Sequence, residues 1–265
     1  MIHPTAIIHS GAKLHETVVV EPYAVIGENV TIGAGTRVGS HAVIDGHTTI
    51  GENCRFFPGV TVGLEPQDLS YKNEPTGVIV GDRTTLREYV TIHRGTGDRF
   101  TTIGSDCFLM AYSHIAHDCK VGNGVIMANT ATFAGHCQVG DYAVIGGLTV
   151  FHQHCRVGRM VMISGFSATR LDVPPFCTAD GRPMSARSVN LIGMRRQKYS
   201  AELRSAIKQS YVILNRSGLN NTQALIKVEE TYGQHKEVQE IIEFYRSSKR
   251  GVIKKVDNAW AEEED

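Results

Sequence analysis

The sequence predicts a mainly β fold. A parallel β-helix of hexapeptide repeats occupies residues 1–185, and a C-terminal α-helical domain follows over 186–265. Two observations carry this. Apolar residues recur every six positions from Ile8 to Ile163, a period that suits neither an α-helix, at about 3.6 residues per turn, nor the alternation of a hairpin sheet. From about residue 191 that period disappears and apolar residues recur at helical spacing instead.

The first frame runs Ile8, Leu14, Val20, Ile26, Ile32, Val38, Ile44, Ile50, Phe56 and Val62, and resumes at Val80, Leu86 and Ile92. A second frame, shifted by one residue, runs from Ile103 through Leu109, Ile115, Val121, Met127, Phe133, Val139, Ile145, Phe151 and Val157 to Ile163. A short strand plus a turn fills six residues, and three such units close one triangular coil of about 18. Glycine often follows the apolar residue, as in Ile32-Gly33 and Val139-Gly140, which predicts turns that use glycine at positive φ.

Two stretches break the frame. Residues 63–77, GLEPQDLSYKNEPTG, are too long and polar for another rung and predict a protruding loop; residues 95–101, GTGDRFT, shift the register. Pro174 and Pro175 predict the end of the ladder, because proline removes backbone donors. Beyond them Ser200 is placed to cap a helix bearing Leu203, Ile207, Tyr211 and Leu214 on one face, with Gly218 as its stop. Two more helices are expected over 221–232 and 236–249, then a solvated acidic tail, DNAWAEEED.

Composition excludes more than it assigns. Twenty-seven Lys and Arg balance 27 Asp and Glu, so no overall charge points to nucleic acid or an anionic membrane. The N-terminal residues lack the basic start and apolar run of a signal peptide, and no run of about 18 apolar residues predicts a membrane span. Six cysteines without a CxxC pair are too sparse for a disulfide scaffold, so reduced thiols and a cytoplasmic location are expected. Cys119, Cys137 and Cys155 lie 18 residues apart, which predicts an interior column of small side chains about 4.8 Å apart.

The chemistry-bearing stretch is HIAHD, residues 114–118. Ile115 belongs to the core frame, so His117 and Asp118 fall outside the interior column. One and two coils later the matching positions are Gly135 with His136 and Gln153 with His154. A polar edge results, in which Gly135 is expected to leave space above His117 for a ligand. Three readings stay open from the residues alone: a ladder of exposed polar corners, a zinc site like that of hexapeptide-repeat carbonic anhydrases, or a general base oriented by a carboxylate.

The stretches QDLSY (67–71), NEPTGVIVGDR (73–83), REYVTIHRGT (87–96), HIAHDCKVGNG (114–124), FAGHCQVGDYAVIGG (133–147), FHQHCRVG (151–158), DVPPF (172–176) and NLIGMRRQ (190–197) resemble the acyl-carrier-protein–UDP-N-acetylglucosamine O-acyltransferase family. The resemblance covers nearly the whole chain and implies a left-handed coil. It also implies transfer of an (R)-3-hydroxyacyl chain from acyl carrier protein to the 3-hydroxyl of UDP-N-acetylglucosamine, the first step of lipid A synthesis. By the same resemblance His117 is the general base and Asp118 its orienting carboxylate, with no metal and no cofactor.

Other positions carry over one by one. Asp68, with Gln67 beside it, matches an acidic sugar contact in the protruding loop; His114, His136, His152 and Gln153 match residues of a site between subunits of a homotrimer. Gly135 is expected to add a backbone N–H for the thioester oxyanion. Asn190 and Arg196 match residues near the nucleotide and its phosphates. Gly165 matches the position that limits acyl-chain length, and glycine there predicts a longer rather than a ten-carbon chain. His154 stands where the family often has an aromatic residue and is expected to be a solvated corner. Ser70 replaces the family's usual loop lysine, with Lys72 as a stand-in, and Ile192 and Gln197 also depart from the pattern. These departures leave open an alternative in which a 3-amino UDP-sugar is N-acylated. Residues 191–216 hold six basic side chains against Glu202 alone, a face suited to an acidic carrier protein.

Overall fold

The structure, a computed structural model, describes residues 1–253; the acidic stretch 257–265 lies outside the described residues. Two- to four-residue strands climb a parallel β-solenoid of about ten turns. Its sides, among the described residues, are three sheets of nine, eight and ten strands. Each strand pairs with the one a coil above, as in Val43–Ile44 on Thr61–Val62 and His114–Ile115 on Thr132–Phe133.

The six-residue frame marks the core. Val20 through Ile163 in both frames are buried, while Ile8 and Leu14 pack partly exposed at the first rungs. The cysteine column is interior as expected: Cys119 Sγ lies 3.2 Å from the Ala134 carbonyl and Cys137 Sγ 3.3 Å from that of His152. All six thiols are free and buried. Burial pushes Cys107 up to about 11 and Cys155 up to about 12, so these thiols stay protonated and unreactive.

Two expectations need correction. Most glycines after the apolar residue, Gly33 and Gly140 among them, do not supply positive φ (Gly63 is an exception); that conformation falls mainly on non-glycine corner residues such as Tyr23, His41, Asp118 and His136. Those glycines are needed for space, since a Cβ at Gly33 would come within 2.8 Å of Gly51 backbone in the next coil and one at Gly140 within 2.6 Å of Arg159 N. Pro174 and Pro175 do not end the ladder either. They turn a corner, after which Cys177–Gly181 pairs in parallel with Met162–Ile163 and then in antiparallel with Met184–Val189. A proline pair is tolerated there because it occupies the corner, where no ladder donor is required.

Helix α1 (Leu191–Arg196) follows, then α2 (Ala201–Arg216), α3 (Asn221–Tyr232) and α4 (Lys236–Ser247). The Ser200 hydroxyl caps α2 by accepting from Leu203 N, and Gly218 takes φ of 72° just past its end. Ile207, Tyr211, Val228, Val238, Ile241 and Ile242 form a second core that also takes in Met160 and Phe176 of the solenoid. Helix α1 is too short to show a period of its own in the sequence.

Candidate active site

Both interruptions of the frame lie against the corner that carries HIAHD. The Thr76 hydroxyl donates to the Gly95 carbonyl at 2.6 Å, tying the first loop to the second. The second loop then builds the support of Asp118. Thr96 N donates to Asp118 Oδ1 at 3.0 Å and Thr96 Oγ1 to Oδ2 at 2.7 Å, while Asp118 N donates to Thr101 Oγ1. The first loop presents Asp68, whose Oδ2 stands 3.8 Å from His117 Nε2.

His117 Nδ1 lies 2.8 Å from Asp118 Oδ2. Burial pushes the Asp118 carboxyl up, but the hydrogen bonds from His117 and from Thr96 N and Oγ1 outweigh it and hold the group well below the usual carboxylate range. An ionised carboxylate makes Nδ1 the protonated nitrogen, which leaves Nε2 with a free lone pair facing Asp68. The imidazole is therefore oriented as a base orients when a carboxylate fixes its tautomer.

Gly135 corrects a further expectation. A Cβ there would lie 2.5 Å from both Cε1 and Nε2 of His117, so the space is filled by the imidazole itself and not kept for a ligand. His136 stands edge-on to His117 with ring centroids 5.0 Å apart, and its Nδ1 is 3.6 Å from Asp118 Oδ2. His154 is an exposed corner residue, as expected, and its ring also stacks flat on His136 at 4.4 Å. Burial lowers the His136 pKa, partly offset by the Asp118 charge.

Around this centre the other expected residues divide. His114 is held by Thr91, with Oγ1 and Nδ1 2.7 Å apart, and meets His93 edge-on at 4.8 Å. Gln67 is exposed in its loop, and Gln153 is exposed at the corner. His152 Nδ1 lies 3.3 Å from the Arg250 guanidinium. Ser70 takes no charge from the missing lysine; its N–H and hydroxyl both donate to Asp68 Oδ1, at 2.9 and 2.8 Å, and lower that carboxyl's pKa. The Lys72 N–H donates to Glu74 Oε2 at 2.9 Å, and that hydrogen bond, with a smaller contribution from the Lys72 charge, lowers the Glu74 carboxyl's pKa.

Asn190 and Arg196 are elsewhere. With Ile192, Gln197, Met162 and Tyr142 they line a separate cleft of about 450 Å³ on the ten-stranded sheet. The Asn190 amide is committed at both ends, donating to the Met160 carbonyl and accepting from Gly193 N, each at 2.8 Å. Gly165 packs on Gly147, where a Cβ would come within 3.1 Å of the carbonyl. A largely apolar cavity of about 630 Å³ lies between Val150, Ala168, Leu171 and Met184, with His152 and Arg182 at its edge.

Sequence reasoning misses the supports, above all Thr96, Thr101 and His93. The available signal is the register shift itself: an insertion that lands one coil before Asp118 must pack against it. As to a metal, His117, Asp118 and His136 offer donor atoms within 4.8 Å of one another, the sole such group among the described residues.

Residues 172–253 match the family described as Udp N-acetylglucosamine O-acyltransferase, domain 2, and residues 11–46 and 100–135 match bacterial transferase hexapeptide repeats. An acyl-[acyl-carrier-protein]–UDP-N-acetylglucosamine O-acyltransferase of Thermodesulfovibrio yellowstonii is 49% identical over 255 residues, covering 96% of this chain and 99% of that one. The chain belongs to the acyl-[acyl-carrier-protein]–UDP-N-acetylglucosamine O-acyltransferase family. The solved UDP-N-acetylglucosamine acyltransferase of Campylobacter jejuni superposes with a TM-score of 0.91 at 40% identity, covering 97% of this chain and 100% of that chain. The Francisella novicida acyltransferase gives 0.93 at 32% identity, with full coverage of both chains.

Proposed function

We propose that the chain transfers an (R)-3-hydroxyacyl group from acyl carrier protein to the 3-hydroxyl of UDP-N-acetylglucosamine, the first step of lipid A synthesis, with His117 as general base. The observation that carries the role of His117 is the pairing of its Nδ1 with an ionised, buried Asp118, which turns the basic Nε2 toward the Asp68 loop. Nε2 takes the hydroxyl proton as the oxygen attacks the thioester carbonyl. The tetrahedral adduct then collapses, the C–S bond breaks, and the thiolate leaving group takes the proton back from the imidazolium. A base so placed contributes roughly 10²–10⁴ in rate. Gly135 N–H has no acceptor among the described residues and serves the oxyanion. Buried thiols with raised pKa argue for direct transfer without an acyl-enzyme.

The acyl chain runs along the nine-stranded sheet from His114 past Thr132 to Val150 and Ala168, one rung at a time, into the apolar cavity there. Arg196, an exposed cation at the edge of the other cleft, meets the nucleotide phosphates, and Asn190 holds the α1 start beside it. These groups and His117 lie on different parts of one chain, and Leu148, Val150, Met162 and Phe166 expose apolar side chains along the solenoid. A homotrimer unites the halves and covers those side chains. The basic face of α1 and α2 receives the acidic carrier protein. Among the described residues no helix is long and apolar enough to cross a membrane, and the proposed location is the cytoplasm.

The test is product analysis with 3-hydroxyacyl carrier proteins of several chain lengths and either UDP-N-acetylglucosamine or its 3-amino analogue. Ester product with a longer chain than ten carbons is expected. Product from the amino sugar alone would change the acceptor, and no transfer to either would overturn the reading.

A further inference from the structure

We propose that His117 Nδ1, Asp118 Oδ2 and His136 Nδ1 form an inhibitory binding site for a divalent transition-metal ion, such as zinc or cobalt. The two donor separations that involve Oδ2 are 2.8 Å to His117 Nδ1 and 3.6 Å to His136 Nδ1. A tetrahedral ion with bonds of about 2.0–2.2 Å holds neighbouring donors roughly 3.3 Å apart, between those two values. Two imidazoles and one carboxylate are a donor set such ions favour. The donors are also supported from behind. Thr96 holds both carboxylate oxygens, and His154 stacks on His136, the kind of outer contact that fixes a ligand ring.

Access follows the burial gradient. The side chains of Asp118 and His117 are 1% and 5% exposed, whereas His136 is 24% exposed and forms the side toward solvent. Solvent can supply a fourth ligand from that side. One cation opposes binding: Arg99 Nε lies 3.5 Å from Asp118 Oδ1, the oxygen the ion does not use.

The consequence for catalysis rests on His117 acting as the base. An ion on Nδ1 displaces the proton held there, and a neutral imidazole carries it on Nε2 instead. The nitrogen that should accept the sugar hydroxyl's proton is then occupied, with no net change in the protonation of the ring. The ion is an inhibitor of this site and takes no part in the reaction.

The experiment titrates cobalt(II) into the full chain after chelator treatment, reading the visible absorption of tetrahedral cobalt and acyl transfer in parallel. One ion per chain should give the band and abolish transfer, and a chelator should reverse both. His136→Asn should weaken cobalt binding by about tenfold or more, while His154→Phe, which preserves the stack, should keep the band. Absence of the band at cobalt concentrations on the order of 100 μM would overturn the proposal, as would a band unchanged in His136→Asn. A band with undiminished transfer would leave the ion site in place but overturn the inhibition, and with it the role of His117.

Discussion

Gly135→Ala is the smallest change that should disable the site. The added Cβ would meet His117 Cε1 and Nε2 at 2.5 Å, against an ordinary carbon contact of about 3.5 Å, so the ring must retreat by roughly 1 Å. A retreat of that size stretches the 2.8 Å bond from Nδ1 to Asp118 beyond hydrogen-bond range. A misplacement of about 1 Å costs on the order of 10²-fold, and complete loss of the base up to about 10⁴-fold. The expected fall in kcat is therefore about 10²–10⁴, or about 2.7–5.4 kcal/mol in barrier. The fold should survive, because Gly135 is not among the glycines with positive φ and overpacking costs about 1–3 kcal/mol. Steady-state transfer from a 3-hydroxyacyl carrier protein is the assay, with His117→Ala and the double variant beside it. Since the effect passes through the ring, adding Gly135→Ala to His117→Ala should change nothing further. Activity within a few-fold of wild type, or losses that simply multiply in the double variant, would refute the reasoning.

Other consequences follow from the same geometry. Thr96→Val removes the 2.7 Å hydroxyl bond to a buried carboxylate, and kcat should drop on the order of tenfold with KM unchanged; an unaltered kcat would show that Asp118 needs no such support. His93 is buried with its pKa lowered to about 4, first by burial and then by the His114 and His117 charges, against an ordinary histidine value of 6.5. The unfolded chain binds this proton at higher pH than the folded one, so stability falls as pH drops from 6.5 toward 4, by about 2 kcal/mol at pH 5. Denaturant titrations at pH 7 and 5 should show that loss in wild type and a smaller one in His93→Gln; equal losses would remove His93 as the cause. Phe133 and Phe151 stack at 4.3 Å in the solenoid core, and Phe133→Ala should cost about 3–5 kcal/mol by the same method.

Much of this architecture is legible in the sequence because a solenoid repeats its constraints. Each coil must bury the same positions, so Ile26 or Met127 announces its burial through neighbours six residues away. The corner cluster is legible for the same reason, since residues 18 apart stack: His117 with Gly135, and Asp118 with His136 and His154. What a repeat does not encode is how closely coils approach. Glycines after the apolar residue look like positive-φ turns in the sequence, yet they are required by backbone packing between coils. Gly135 misleads likewise, because the sequence cannot tell whether an imidazole or a ligand fills the gap. Non-repeating parts are the least legible. Thr96 and Thr101 lie in an insertion with no periodic partner, and the Asn190 amide is spent on Met160 and Gly193, the first of them 30 residues away in the chain.

In the proposed reaction a carboxylate-oriented His117 accepts the proton of the acceptor hydroxyl. The measurement that tests it most directly is the single-turnover rate of acyl transfer from 3-hydroxyacyl carrier protein to UDP-N-acetylglucosamine, with both substrates saturating, for wild type and His117→Ala. A rate lower by about 10²–10⁴ in the variant, with UDP-N-acetylglucosamine still bound, is the predicted result. A rate within a few-fold of wild type would contradict it and move the search for the base elsewhere.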